Sequence, residues 1–487
     1  MSKTVNHYDA IVIGAGFSGI CAAIDLKKAG IDNVQIYEKA DDVGGCWRDN
    51  TYPGVECDVP SHLYSYSFEP NPNWSKWYAT GKEIWEYIRH CAKKYDVWES
   101  ITFGRGIESA VWQGDHWLVT DSSGAQATSQ SIISGMGGLH VPNIPTFPGM
   151  ESFKGHVFHT SNWRHDIDLT GLRVALVGTG ATAVQVVPSI ADTVGELTVF
   201  QRSPVWVGEK KDPSYTTVQR EEFASDPKLM KKHRWELWKS WESTSLDMAT
   251  AGTYANTESE RRARLHIQSA VTDPDLVAAL TPDYNFTCKR PTLSNGYYQS
   301  FSKDHVHLVT GAVESFTETG LATADESFEV DVVVLATGFQ ALNINHGIDV
   351  KGLNGLTLED AWDVHITSYK SVMVRDFPNL FLLMGPNGGG LTSALQMIEQ
   401  QSKFAVRVIE RMQEHGIASI NPRQVEIDKF TNHLLEAFKY TTHNKGCTSW
   451  WQDKSGRNAF VWPESSVTFR MLLNEIDLCD FDLTMAS

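Results

Sequence analysis

Two glycine-rich turns, each set between an apolar strand and a helix, constrain this 487-residue chain more than any other feature. The first reads IVIGAGFSG at 11–19 and the second VALVGTGATA at 174–183. In such a unit the turn needs glycine, and the helix behind it aims free backbone amides at a phosphate. Gly14, Gly16 and Gly19 form the first turn, with Phe17 and Ser18 opening its helix. Gly178, Thr179 and Gly180 form the second, followed by Ala181, Thr182 and Gln185. A GxGxxG string alone is weak evidence, but inside a strand-turn-helix-strand unit of ~30 residues it predicts a dinucleotide site. The expected fold is α/β, with two Rossmann-like three-layer dinucleotide-binding domains.

The strands that close the two units end in opposite charges. Glu38 ends NVQIYEK, 24 residues after Gly14, where a carboxylate can take both ribose hydroxyls of an adenosine. Arg202 ends LTVFQRS, 24 residues after Gly178. A carboxylate there would repel a 2′-phosphate, whereas a guanidinium grips it in a fork. The first site therefore reads as FAD, with Lys39 beside Glu38, and the second as NADPH, with Ser203 beside Arg202.

Composition removes several other classes. The chain is 41% apolar and 21% charged, as expected of a globular protein with large cores. A net charge of −17 argues against nucleic acid and against an anionic membrane surface. The basic residues Lys231, Lys232 and Arg234 read as a solvated helix face. No apolar run approaches the ~20 residues of a membrane-spanning helix, and MSKTVNHYDAIVIG has no apolar signal core ahead of its strand, so a cytoplasmic location is expected. Seven cysteines without C-x-x-C spacing suggest neither a disulfide framework nor a metal site, and thiols are expected throughout. After Gly45, Cys46 has no second cysteine before Cys57, which argues against the redox dithiol of the disulfide reductases that also pair two such units.

Along the chain, residues 1–145 and 325–487 are expected to form a discontinuous FAD-binding domain. Residues 150–214 and 283–324 would form the NADP-binding domain. The proline-rich PNIPTFPG at 142–149 reads as the linker between them. Residues 215–282, charged and helical in pattern, read as an insertion whose tryptophans pack against a neighbouring domain. The apolar strand at 329–336 is expected to return the chain to the FAD domain. Near 385, FLLMGPNGGGLTSALQMIEQQ reads as strand, turn and a helix starting near Leu391, whose amides suit an electron-rich flavin edge.

The segment GGCWRDNTYPGVECD at 44–58 is more specific than either fingerprint. Its Gly44, Gly45, Trp47, Tyr52, Pro53, Gly54 and Asp58 match the pattern [AG]GxWxxxx[FY]P[GM]xxxD, so the chain resembles the type I Baeyer–Villiger monooxygenases, class B flavoprotein monooxygenases. FKGHVFHTSNW at 153–163 resembles that family's FxGxxxHxxxW motif through Phe153, Gly155, His159 and Trp163. It departs at Arg164, where the family has Pro or Asp and where the N- and S-oxidising sister group is basic. CKRPTLSNGYYQSF at 288–301 resembles the segment of the family's catalytic arginine, placing it on Arg290, with Lys289 toward the NADP phosphate. KGCTSWWQDKSGRN at 445–458 resembles the carboxyl-terminal loop of the acetophenone-oxidising branch, placing a cofactor- or substrate-contacting tryptophan on Trp450.

The resemblance implies a monooxygenase that consumes NADPH and O2 and converts ketones to esters or lactones through a flavin C4a-peroxide. Asp58, with Val59 and Tyr64 after it, would line the flavin beside Gly45 and Trp47. A guanidinium suits such chemistry because it stays protonated and can bond an oxyanion. At ~4 Å and an effective dielectric of ~20, its Coulomb attraction is about 4 kcal/mol. Burying that charge is costly, so Arg290 is expected to lie buried with a carboxylate beside it, and Asp58 is the candidate. An N- or S-oxidising flavin monooxygenase is the alternative, and a dehydrogenase that never inserts oxygen is a further one. No metal, nucleic-acid, membrane or obligate protein partner is implied.

Overall fold

A computed structural model describes residues 5–343, 345–443 and 446–486. Strand Asn6–Ile13 is exposed where it starts and fully buried where it meets the glycine turn. It pairs in parallel with Val34–Tyr37 on one side and Gln126–Ser134 on the other. Covered on both faces, such a strand must be apolar throughout its inner half, which is why AIVI carries no polar alternation. The sheet extends through Ile101–Thr102 at one edge and through the antiparallel meander Ile107–Trp112, Trp117–Asp121 and Gln126–Ser134. Asp349–Lys351 and Leu380–Leu382 join the same sheet late in the chain.

Helix Phe17–Lys28 covers one face of this sheet and packs against helix Ala394–His415, whose inner side buries Leu395, Phe404 and Val408. That helix starts three residues past Leu391. Helix Gly81–Lys94 begins at a capping box formed by Thr80 and Glu83 and buries Ile84, Ile88 and Cys91. Its aromatics are structural: Trp85 donates to the Val43 carbonyl at 2.9 Å and Tyr87 to that of Glu69 at 2.6 Å.

The second sheet is wholly parallel. Its order is Val306–Val309, Glu196–Phe200, Arg173–Val177, Val332–Leu335 and His156–His159. This corrects one sequence expectation. The 329–336 strand does not return the chain to the first sheet; Val332–Leu335 inserts between Arg173–Val177 and His156–His159. An all-apolar VVVL satisfies either buried sheet equally well, so the pattern carried no preference. The change of sheet comes after it, before Asp349.

Residues 217–280 contain helices Thr217–Ser225, Pro227–Ala249, Tyr254–Ala270 and Pro274–Leu280. Lys231 and Lys232 are exposed, but Arg234 is not part of a solvated face. Its guanidinium turns inward and donates to the carbonyls of His62 and Ser65 and to Ser65 Oγ. Trp238 and Trp241 pack half-buried against the first core, while Trp235 stays 54% exposed. Among the described residues no helix is long and apolar enough to cross a membrane. No group of three or more His, Cys, Asp or Glu among them is placed to hold a metal ion.

Candidate active site

At the first turn, Gly14 has φ +93° and a Cβ on Gly19 would lie 1.8 Å from the Gly14 carbonyl oxygen. Helix and turn are therefore in backbone contact, and no larger residue fits at position 19. Gly16 precedes the helix without a side-chain cap, so the amides of Phe17 and Ser18 face the turn. Glu38 is buried: Oε2 accepts from Ala15 N at 2.8 Å, Oε1 from Ala40 N at 3.0 Å, and Arg48 pairs with it at 3.3 Å. Oε1 takes both Ala40 N and Arg48, so it is Oε2, with one donor, that retains a lone-pair direction for a ribose hydroxyl. Lys39 beside it is exposed. Gly45 abuts Gly16, Trp47 donates to the Tyr64 hydroxyl at 3.1 Å, and Tyr64 stands edge-on to Phe17. Val59 is buried next to them. These residues stand together beside the first turn and are the candidates to line a flavin groove.

The second turn is more open. Gly178 has φ +115°, and a Cβ there would meet the Ala336 carbonyl at 2.5 Å, whereas one on Gly180 would meet nothing within 4 Å. Thr179 Oγ1 donates to the Ser203 carbonyl at 2.8 Å, and Lys289 Nζ to Ser203 Oγ at 2.8 Å. Arg202 is exposed and forms no ion pair among the described residues. Burial, and then the nearby charge of Arg202, pulls the Lys289 ammonium below the usual lysine range. Two cations held near one another, neither in an ion pair among the described residues and Asp283 too weak to offset burial and Arg202, fit the dianionic 2′-phosphate of NADPH.

The 44–58 motif lies where these two turns meet. Tyr52 donates to Gln185 Oε1 at 3.0 Å, and Gln185 Nε2 donates to the Glu56 carbonyl at 2.9 Å. Gly54 has φ +82°, and a Cβ there would sit 2.2 Å from Ser189 Oγ and 2.7 Å from the Gln185 carbonyl. The motif's glycine is therefore a contact between the first unit and helix Ala181–Ile190 of the second. Thr182 and Gln185 serve this junction as well as the nucleotide turn.

Asp58 ends that loop, largely buried, with Oδ1 accepting no hydrogen bond. The expected Asp58–Arg290 pair does not form. Arg290 is exposed, and although its charge and that of Lys210 favour the Asp58 carboxylate, burial outweighs both and raises that group above the usual range. The cation closest to Asp58 is Lys210, at 3.9 Å. Lys210 also holds Glu56 at 2.7 Å, and Lys76 pairs with Glu56 and, at 3.0 Å, with Asp212. Lys210 escaped the sequence reading because nothing local distinguishes it in VGEKKDP. Its alignment with Asp58 comes from the Val207–Gly208 strand, which pairs with Thr292–Leu293 just beyond Arg290.

A second correction concerns the cysteines. Cys288 and Cys447 form a disulfide, whereas Cys46 and Cys57 are free. The bond joins the Arg290 segment to the carboxyl-terminal loop. Lys445, which begins that loop motif, lies outside the described residues. Trp450 is 42% exposed and meets Trp451 and Phe460 edge-on. Leu391 lines a small cleft with Gly390, Thr392, Met397, Trp462 and Glu242.

Of the FxGxxxHxxxW residues, Phe153 packs on Phe316, and Gly155 touches the Asp331 carbonyl so closely that a Cβ would sit 2.3 Å from it. His159 ends the edge strand of the second sheet, its Nδ1 accepting from Ser161 N at 3.1 Å. Burial lowers its pKa. Trp163 meets Phe158 edge-on. Arg164 merely forks onto Asp166 at the surface, so the departure from the family pattern leaves the motif's packing intact.

Residues 8–218 match the model of the flavin-binding monooxygenase-like family. The chain is 36% identical to a Baeyer–Villiger monooxygenase of Streptomyces coelicolor over 98% of its own length and 93% of the relative's. A Baeyer–Villiger monooxygenase of Pseudomonas aeruginosa is also 36% identical, over 98% and 92%. The closed crystal structure of cyclohexanone monooxygenase superposes with a TM-score of 0.89 at 28% identity, covering 99% of this chain and 100% of that one. OTEMO in complex with FAD and NADP superposes with a TM-score of 0.87 at 27% identity, over 99% and 100%.

Proposed function

Since the chain belongs to the Baeyer–Villiger monooxygenase family and is an FAD- and NADPH-dependent monooxygenase, we propose that it inserts one oxygen of O2 beside the carbonyl of a small ketone, with Arg290 and Asp58 as its catalytic residues. The observation that carries this reading is the position of Asp58. It sits where the flavin groove meets the helix of the second nucleotide unit, within the field of both Lys210 and Arg290. Bound FAD, once reduced by NADPH, supplies the activation of O2.

The chain's own residues do the rest. Glu38 and the helix amides behind Gly16 anchor one nucleotide, and Arg202 with Lys289 the phosphate of the other. Arg290, unpaired at the rim, is free to turn inward and donate to the ketone oxygen as negative charge develops there, an oxyanion-type task. Asp58 offers the opposing charge that draws it in. We take residues 1–145 with the chain beyond about 337 as the FAD domain, and place the strand Val332–Leu335 with the NADP domain.

The test is a panel of cyclic, aryl and linear ketones, one tertiary amine and one thioether, given to the purified protein with NADPH and followed by product identification. Esters or lactones are expected; oxidation of the amine or thioether alone would favour the sister activity. Arg290→Ala should lower ester formation by at least ~100-fold, on the scale of losing one oxyanion donor, and far more than it slows bleaching of the flavin by NADPH. Undiminished ester formation would remove Arg290 from the reaction.

A further inference from the structure

The partly buried charges around Asp58 form one set drawn from three segments. Glu56 and Asp58 come from the YPG loop, Lys76 from the chain just after it, and Lys210 and Asp212 from the second unit. Two cations face three carboxylates, so the set carries one net negative charge. Lys76 is engaged by Glu56 and Asp212. Lys210 alone of the two reaches Asp58.

The segment carrying Lys210 is stitched to the first unit along its length. Trp77 N donates to the Pro213 carbonyl at 3.0 Å, Tyr78 N to Asp212 Oδ1 at 2.9 Å, and Tyr215 N to the Ser75 carbonyl at 2.9 Å. Lys210 is further fixed by Asn295, whose Oδ1 accepts from Lys210 N at 2.8 Å and whose Nδ2 donates to the Lys210 carbonyl at 2.7 Å. Its ammonium also lies 5.0 Å from the Tyr78 ring centroid. The cation that completes the Asp58 site is thus delivered by the unit that binds the other nucleotide, and it arrives only with that unit docked.

We propose that Lys210 is a positioning residue for oxygen transfer: gripped by Glu56 at the junction of the two units, it maintains Asp58 as the anion that draws the Arg290 guanidinium toward the flavin. This rests on the roles given above to Asp58 and Arg290. Without Lys210, three carboxylates would face one cation, and the least costly response is a proton on Asp58, whose carboxyl burial already raises. A protonated Asp58 no longer attracts Arg290. The other titratable groups around it do not compete. Burial pushes the phenols of Tyr52, Tyr64 and Tyr78 up, and the thiols of Cys57 and Cys46 up to about 12, so all stay neutral. Glu56 is held below the usual range, burial being outweighed by hydrogen bonds from Lys210 and Lys76.

The experiment compares Lys210→Gln, Lys210→Arg and Glu56→Gln in the FAD-loaded protein, reading ester formed per NADPH consumed as a function of pH. In Lys210→Gln the acid limb should move up by at least about one pH unit, equal to a tenfold loss on that limb, and Lys210→Arg should restore it. Glu56→Gln removes a carboxylate instead of a cation, so its limb should move down. A uniform fall in rate without movement of the limb would reduce Lys210 to a structural role and overturn the proposal. A second arm needs no turnover: as pH falls, the protonated-carboxyl infrared band of cofactor-free Lys210→Gln should appear at a pH at least about one unit above that at which it appears in the wild type, and it should be lost in the Asp58→Asn/Lys210→Gln double variant. A band that appears at the wild-type pH overturns the proposal. Failure of the wild type to make any ester would instead overturn the ketone reading, and the infrared arm would still decide whether Lys210 keeps Asp58 ionised.

Discussion

At the first nucleotide turn the acid that ends the strand is wrapped in protein, whereas at the second the base that ends the strand faces solvent. Glu38 is 4% exposed and engages two backbone amides and Arg48. Among the described residues Arg202 pairs with no carboxylate, and its neighbour Lys289 has its ammonium pulled below the usual lysine range by burial and by Arg202. The glycines differ in the same sense, since a Cβ on Gly19 strikes backbone and one on Gly180 strikes nothing. A site completed by its own protein contacts suits a nucleotide that stays. One that holds two cations outside any ion pair suits a phosphate that comes and goes, because the ligand brings the pairing charge each time.

Removing Glu38 should break this contrast most severely. Glu38→Ala strands the amides of Ala15 and Ala40 and takes one of the two carboxylates from Arg48. At ~1–3 kcal/mol for each unsatisfied group, the variant should lose about 3 kcal/mol in urea unfolding and purify largely without flavin. Retention of both stability and flavin would show that the first site is not prebuilt as described.

Arg202→Ala tests the other half. Loss of charge-assisted hydrogen bonds of ~1.5–3 kcal/mol should raise the KM for NADPH by roughly 10- to 100-fold and leave that for NADH nearly unchanged. Equal effects on the two would deny the phosphate assignment. Unfolding stability should hardly move, in contrast to Glu38→Ala.

A pH series sharpens the comparison further. Lys289 grips a phosphate only while protonated, and its pKa is lowered by burial first and Arg202 second. The KM for NADPH should therefore rise as pH climbs through that lowered value, below the ordinary lysine range, while the KM for NADH stays level. In Arg202→Ala the break should shift to higher pH, since one of the two lowering influences is gone. The smallest expected effect is that of Gly180→Ala on the protein without nucleotide, within about 0.5 kcal/mol of wild type in thermal unfolding, accompanied by weaker NADPH binding because the methyl occupies the approach to the phosphates.

Much of this was legible in the chain itself where the relevant contacts are local. Strand, glycine turn, helix and closing strand fall within about 30 residues, so periodicity and glycine spacing located both units, and Glu38 and Arg202 distinguished them. The 44–58 motif was visible as a pattern, but its meaning was not. Gly54 is small because Gln185 and Ser189 lie against it, 131 and 135 positions away by residue number.

Sequence by itself determined the two nucleotide units and the opposed charges at their closing strands, since hydrogen-bond periodicity, turn strain and the sign of a side chain are properties of neighbours along the chain. Tertiary structure alone decided that Val332–Leu335 belongs to the second sheet, that Cys288 meets Cys447 across 159 residues, and that the cation beside Asp58 is Lys210 rather than Arg290. Each of these is a pairing between distant segments equally acceptable to several partners by pattern, and only the packing of the two units against one another selects among them.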